Sequence, residues 1–276
     1  MKPTRIFHVS DIHFGWPADL DQIDALESLV ARERYDVVAV SGDLSQRARA
    51  GEFQRAHVFL TIAARSSQVI TVPGNHDVAW WFAPLGVGDR SLLYAKYRRY
   101  ISADLEPVLH VPGVTFVGLN SAHGFAWGSL TGRPRDVSIM GHLTAEQLRH
   151  AADEFGQAPP GDARVVVMHH NPMRGELSRR HGITRYTRAV TAFSAMRADL
   201  VLCGHDHQAA VHYVERDGGG GTVYVTAGTV SERSRGGLPS TIDVCTITDR
   251  SVEVMPLVWG GKSRGFEPGT ARCFAR

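Results

Sequence analysis

Five short clusters of acidic, amide and imidazole side chains punctuate this chain: Asp11-Ile12-His13, Gly42-Asp43, Gly74-Asn75-His76-Asp77, His169-His170 and Gly204-His205-Asp206-His207. Its 14 histidines stand against 3 cysteines, Cys203, Cys245 and Cys273, too widely spaced for a disulfide framework or a thiolate zinc site. A metal in this protein would therefore be held by nitrogen and oxygen, donors that suit the borderline transition ions. Each cluster alone is a weak signal, because Asp-x-His recurs by chance and Gly-Asp is an ordinary turn. Their setting gives them weight. Each lies just past a run of aliphatic residues, with glycines that permit tight turns and close backbone approach.

Those runs are Ile6-Phe7-His8-Val9, Val37-Val38-Ala39-Val40, Val69-Ile70-Thr71-Val72, Val165-Val166-Val167-Met168 and Leu200-Val201-Leu202, with Val114-Thr115-Phe116-Val117 in between. They are continuously apolar rather than alternating, as strands covered on both faces are. Leu20, Ile23, Leu26 and Val30 recur at helical spacing behind a capping Asp19, and Phe53, Ala56, Leu60 and Ala63 repeat the pattern. Ser91–Ile101, Leu143–Phe155 and Tyr186–Met196 are further predicted helices. Strand, helix, strand at this spacing makes βαβ units and an α/β fold with a largely parallel central sheet. All carboxyl ends of such strands share one edge, so the topology brings the clusters together where open α/β folds bind ligands.

Beyond Gly204 the pattern becomes antiparallel. Ala209–Glu215 and Thr222–Thr226 flank the glycine-rich turn Asp217-Gly218-Gly219-Gly220-Gly221, and Thr241–Thr248 pairs with Ser251–Val258 around Asp249-Arg250. One domain over residues 1–260 is expected, with 261–276 a polar tail of no periodicity. The 276 residues carry 30 Lys+Arg against 28 Asp+Glu and are 43% apolar, a globular composition whose charge gives no field for duplex nucleic acid. No apolar run approaches the roughly 18 residues of a membrane span. Met1-Lys2-Pro3-Thr4-Arg5 leads into the first strand without a signal-peptide core, which predicts a cytoplasmic protein.

Taken in order, D-x-H, G-D, G-N-H-D, H and G-H-x-H resemble the signature of the calcineurin-like metallophosphoesterase superfamily, most of all its bacterial class III cyclic nucleotide phosphodiesterases. The motifs run from Asp11 to His207 with no element missing. The resemblance implies a four-layer α/β/β/α sandwich in which the C-terminal strands form part of a second sheet. It implies two divalent or mixed-valence transition-metal ions (Mn, Fe or Zn), one on Asp11, His13 and His207, the other on Asn75, His169 and His205, with Asp43 bridging through its two oxygens. Two such cations, about 3.5–4 Å apart, can hold a hydroxide and neutralise a phosphoryl group during in-line displacement. His76 would serve the transition state or the leaving oxygen, and Asp77 would orient its imidazole.

Some residues stay open at this level. His8 reads as a core histidine; His170 is an alternative to His169; Asp206 points away from its histidine neighbours; Asn120 and His123 lie past the Val114 strand on the same edge. Trp80-Trp81-Phe82 could stack on a base or anchor a helix, and the segment 173–188, with Arg174, Arg179, Arg180, Arg185 and Arg188, could grip an anion or be a solvated face. The expected partner is a small, cyclic nucleotide-like phosphodiester, with homodimerisation undetermined. The alternatives are a UDP-2,3-diacylglucosamine pyrophosphatase-like hydrolase, against which His76 counts because those enzymes often carry G-N-R-D, and a broad phosphomonoesterase or nuclease. A non-catalytic scaffold, as in the retromer subunit of this fold, ranks last because such proteins typically lose ligands and this chain keeps the full set.

Overall fold

The computed structural model describes residues 2–16, 18–82, 87–124 and 139–276. Its first three strands, β1 (Thr4–Val9), β2 (Val37–Val40) and β3 (Gln68–Thr71), are parallel and joined through α1 (Leu20–Arg32) and α2 (Ala50–Ala63). Asp19 caps α1 as expected, its carboxylate accepting from the Gln22 N–H at 3.1 Å. The predicted helix over Ser91–Ile101 is divided: a 3₁₀ turn at Arg90–Tyr94 runs into a short α3 (Ala95–Tyr100). An edge strand β4 (Val108–Val111) leads to β5 (Val114–Leu119), α4 (Ala145–Gln157), β6 (Ala163–His170), α5 (Tyr186–Ala195) and β7 (Leu200–Gly204). The chain closes with β8 (Ala210–Glu215), β9 (Gly221–Thr226), β10 (Thr241–Ile247), β11 (Ser251–Trp259), β12 (Phe266–Pro268) and β13 (Arg272–Ala275).

The cluster-bearing strands divide between two sheets rather than lining one. The first sheet runs β12-β11-β10-β1-β2-β3, with β13 also on β11, and the second runs β4-β5-β6-β7-β9-β8. The C-terminal strands are likewise shared out, β8 and β9 to the second sheet and β10 to β13 to the first. Side-chain alternation explains the layering. Phe7 and Val9 of β1 face α1 and α2, while Ile6 joins Val37, Ile70, Phe116, Val165 and Leu202 between the sheets. Val166, Met168 and Val201 of the second sheet pack on α4 and α5. Every central strand is thus apolar on both faces, which is why its sequence showed no alternation. The result is helices, sheet, sheet, helices.

The tail expected to lack periodicity is part of the first sheet. Phe266 pairs with Trp259, and Arg272 to Ala275 pair with Val254 to Ser251. Backbone pairing needs no apolar period, so a strand added to an edge leaves little trace in the sequence.

His8 is buried between the sheets, its Nε2 2.9 Å from Ser41 Oγ and its Nδ1 3.9 Å from the equally buried Asp243. Burial pushes the His8 imidazole down to about 3 and the Asp243 carboxyl up to about 8, so both are neutral near pH 7. The folded state keeps the Asp243 proton from pH 4 to pH 8 while the unfolded chain releases it, so this residue's contribution to stability falls as pH rises through that window. Asp243→Asn should therefore gain on the wild type from pH 4 upward and level off above pH 8. At about 1.4 kcal/mol for each pH unit of that window, the total is of the order of 5 kcal/mol. Urea unfolding midpoints of the two proteins at a series of pH values measure it; parallel curves would contradict the assignment.

Candidate metal centre

The five clusters meet where the carboxyl ends of the two sheets adjoin. Asp11 and His13 leave β1, Asp43 leaves β2, Asn75 follows β3, His169 belongs to β6, and His205 and His207 follow β7. Asp11, His13, Asp43, His205 and His207 all have positive φ, between 51° and 74°, and make up five of the nine non-glycine residues in that region among the described ones. Each such residue costs on the order of 1–3 kcal/mol, a strain typical of functional sites. Local bonds hold them there: Asp11 N–H donates to Gly42 O at 3.1 Å, His13 N–H to Asp43 O at 3.0 Å, and His205 N–H to Asp11 Oδ2 at 2.9 Å. Glycine is required where these turns touch, since a Cβ on Gly74 would strike the Asp43 carboxylate and one on Gly204 would strike Ser10 and Asp11.

Two donor groups result. In the first, Nε2 of His207 lies 3.1 Å from Asp11 Oδ1 and 3.1 Å from His13 Nε2, which is itself 3.8 Å from Asp43 Oδ2. In the second, Asn75 Oδ1 lies 3.1 Å from His169 Nε2 and 3.0 Å from His205 Nδ1, and Asp43 Oδ2 is 3.3 Å from the same His169 nitrogen. Asp43 thus stands between the groups, though one oxygen faces both. The other oxygen, expected to take part in bridging, accepts the His76 backbone N–H at 2.8 Å. Backbone carbonyls set the tautomers: His169 Nδ1–H donates to Ser41 O at 2.8 Å and His207 Nδ1–H to Arg233 O at 3.2 Å, which turns each Nε2 inward.

The donor set fits cations. Asp11 Oδ1 is buried facing Nε2 of His207 at 3.1 Å and of His13 at 3.8 Å, and the two imidazole nitrogens, themselves 3.1 Å apart, need a proton or a cation between them. Burial favours protonation of Asp11 and Asp43, but His207 beside the first and His169 beside the second outweigh it and hold both carboxyls well below the usual range. Burial opposes protonation of His169, yet Asp43 raises it to about 9; Asp11 likewise raises His207 against its burial. Burial takes His13 down to about 3 and His205 well below its ordinary value. His169 and His207, the two histidines that face carboxylates, are thus shifted toward protonation, and cations would compete with protons for these donors.

A profile of the calcineurin-like phosphoesterases matches residues 4–209. The chain belongs to that family. Its Asp/His clusters accordingly fit the dinuclear metal centre of a metal-dependent phosphoesterase. Among solved structures, the chain resembles a purple acid phosphatase from yellow lupin seeds (TM-score 0.70, 10% identity), covering 100% of this chain and 54% of that one. It also resembles PhoD (TM-score 0.65, 12% identity, 98% and 69% covered) and GAP50 of Plasmodium, described as the anchor in its inner membrane complex (TM-score 0.60, 12% identity, 99% and 89% covered). At these identities the likeness concerns the fold. The chain spans about half the length of the lupin protein. No curated protein matches it in sequence. Among the described residues no helix is long and apolar enough to cross a membrane.

The structure also shows where several of the residues singled out in the sequence lie and what they bond. β6 continues through both histidines, so His169 is not the first residue past the strand. His170 lies in one imidazole group with His169 and His205, but its Nδ1 bonds Ser121 Oγ and its Nε2–H donates to Ile139 O, each at 2.8 Å, which favours His169 as the donor. Asp77 does not orient His76. Its carboxylate accepts from the backbone N–H groups of Leu44, Ser45 and Gly74 and from Ser45 Oγ, tying the Asp43 loop to the Asn75 turn. The group that orients His76 is the Gln46 carbonyl, 2.8 Å from Nδ1. A backbone acceptor leaves no mark in a sequence, so this partner was invisible there.

Asp206 is buried and accepts from Ser178 Oγ at 3.1 Å, which anchors the 173–188 segment. Asn120 bonds Tyr94 and lies with His123 in a separate depression. A cavity of about 580 Å³ opens beside His76 and Asn75, lined also by Trp80 and Trp81. None of the arginines between 174 and 188 lines it; among the described residues its lysine and arginine side chains are Arg47, Arg49 and Lys96. The run Arg47-Ala48-Arg49, a few residues after Gly42-Asp43, was the sequence signal for two of them.

Proposed function

We propose that this phosphoesterase hydrolyses a small phosphodiester, with cyclic nucleotides the first substrates to try. Asp11, His13, Asp43 and His207 would hold one metal ion and Asp43, Asn75, His169 and His205 the other; manganese, iron or zinc suits these donors. When bound, such ions supply Lewis-acid polarisation and charge neutralisation at phosphorus.

The chain's own part centres on His76. The Gln46 carbonyl can only accept, so Nδ1 keeps a proton, and general acid catalysis would use a second proton on Nε2, given to the leaving oxygen as the imidazolium returns to neutral imidazole. The ring stands against His13, centroids 4.8 Å apart, at the border between the donor groups and the cavity. That cavity carries the diester reading, because it gives a second substituent on phosphorus a place beyond the donor groups. Asp77 would act by holding the two motif loops together. The three cysteines are free, which suits the cytoplasmic location we assign with this function.

The test is turnover by metal-reconstituted protein of bis(p-nitrophenyl) phosphate, 3′,5′-cyclic AMP and p-nitrophenyl phosphate, with a rigorously metal-free control. Diester kcat/KM should exceed monoester kcat/KM by about tenfold or more, and the control should be inactive. A monoester preference, or diester turnover without metal, would overturn the reading.

A further inference from the structure

The cavity beside His76 holds more positive charge than a phosphodiester needs. Arg47 and Arg49 come from the loop after β2, and Lys96 comes from α3. The loop is preorganised: Glu52 Oε2 accepts the backbone N–H groups of Arg47 at 2.8 Å and Arg49 at 3.1 Å, which leaves both side chains exposed toward solvent. Lys96 donates to Ala48 O at 2.9 Å, bringing a third cation to the same loop. Among the described residues no acidic side chain lines the cavity and neither guanidinium forms an ion pair. The opposite character comes from Trp80 and Trp81, both 42% exposed, with rings edge to face at 6.2 Å.

From this juxtaposition we infer that the substrate carries, beside the phosphoryl group under attack, a second anionic group for Arg47, Arg49 and Lys96 and a planar ring for Trp80 and Trp81. The inference rests on the proposed phosphodiesterase reading and narrows it. A cyclic monophosphate has a single negative charge, which belongs at the donor groups and leaves three cations uncompensated. A nucleoside phosphodiester that carries a further phosphate supplies everything the cavity offers, one phosphate at the donor groups, one at the arginines and a base at the indoles, and ADP is the binding probe with the same base and two phosphates. Guanidinium forks match phosphate oxygens, and aromatic faces take bases of any identity.

Binding separates this inference from the catalytic reading. Calorimetric titration of metal-loaded protein with ADP and with 3′,5′-cyclic AMP should show ADP binding at least tenfold more tightly, with an affinity that falls more steeply as salt is raised. Arg47→Ala/Arg49→Ala should cut the ADP preference about tenfold or more, and Arg47→Lys/Arg49→Lys should restore part of it. Both side chains are exposed, so the fold should survive, and circular dichroism would confirm it. Trp81→Ala should weaken both nucleotides, because each carries a base. Equal affinity for the two nucleotides, or a preference untouched by removing both arginines, would overturn the inference. Turnover of bis(p-nitrophenyl) phosphate, read in parallel, reports on the diesterase assignment alone.

Discussion

Asp43→Asn should lower kcat/KM by the order of 10³-fold and reduce the metal content from two equivalents per chain to one or fewer. Removing a partner that merely orients a metal ligand costs about 10–100-fold in metal affinity or activity, and Asp43 stands in both donor groups at once. Its Oδ2 is 3.8 Å from His13 Nε2 and 3.3 Å from His169 Nε2, so loss of the charge is felt on both sides. Asparagine is the informative substitution because its side-chain oxygen can still accept the His76 N–H that Oδ1 holds at 2.8 Å. The loop geometry is then kept and the charge is not. Metal analysis beside steady-state kinetics makes the measurement, and two retained equivalents with near-normal turnover would remove Asp43 from the centre.

His76→Ala should behave in the opposite way toward metal. A general acid contributes about 10²–10⁴-fold, so kcat should fall by at least the order of 10² with both metal equivalents retained. His76 is held by Gln46 O and by its own N–H on Asp43, and its ring belongs to neither donor group. The loss should shrink for p-nitrophenolate, a leaving group that departs without a proton, and grow for an alkoxide. A uniform loss across leaving groups would point to phosphoryl positioning rather than proton transfer, and loss of a metal ion would make His76 a ligand.

How much of this was legible beforehand differs by kind of residue. The seven candidate ligands stand out in the chain because carboxylates, imidazoles and glycines cluster after aliphatic runs, and βαβ spacing sends those runs in one direction. The layering was less visible: strands apolar on both faces fit one sheet between helices as well as two sheets face to face. The choice between His169 and His170 turned on hydrogen bonds to Ser41, Ser121 and Ile139, each distant in sequence. Asp77 read as a partner of its neighbour His76, yet its acceptors meet backbone donors from the β2 loop, more than thirty residues away.

Residue type and order by themselves therefore determined the chemistry available to this protein: nitrogen and oxygen donors in five clusters on an α/β frame, enough to recognise a phosphoesterase. Only the tertiary structure decided which atoms face one another. Tautomers, charge states and the cationic cavity of Arg47, Arg49 and Lys96 depend on backbone carbonyls, burial and loops from separate elements, and none of those is a property of a residue's identity. Donor chemistry is carried by side chains and can be read in one dimension; its tuning comes from the surroundings, which exist only once the chain has folded.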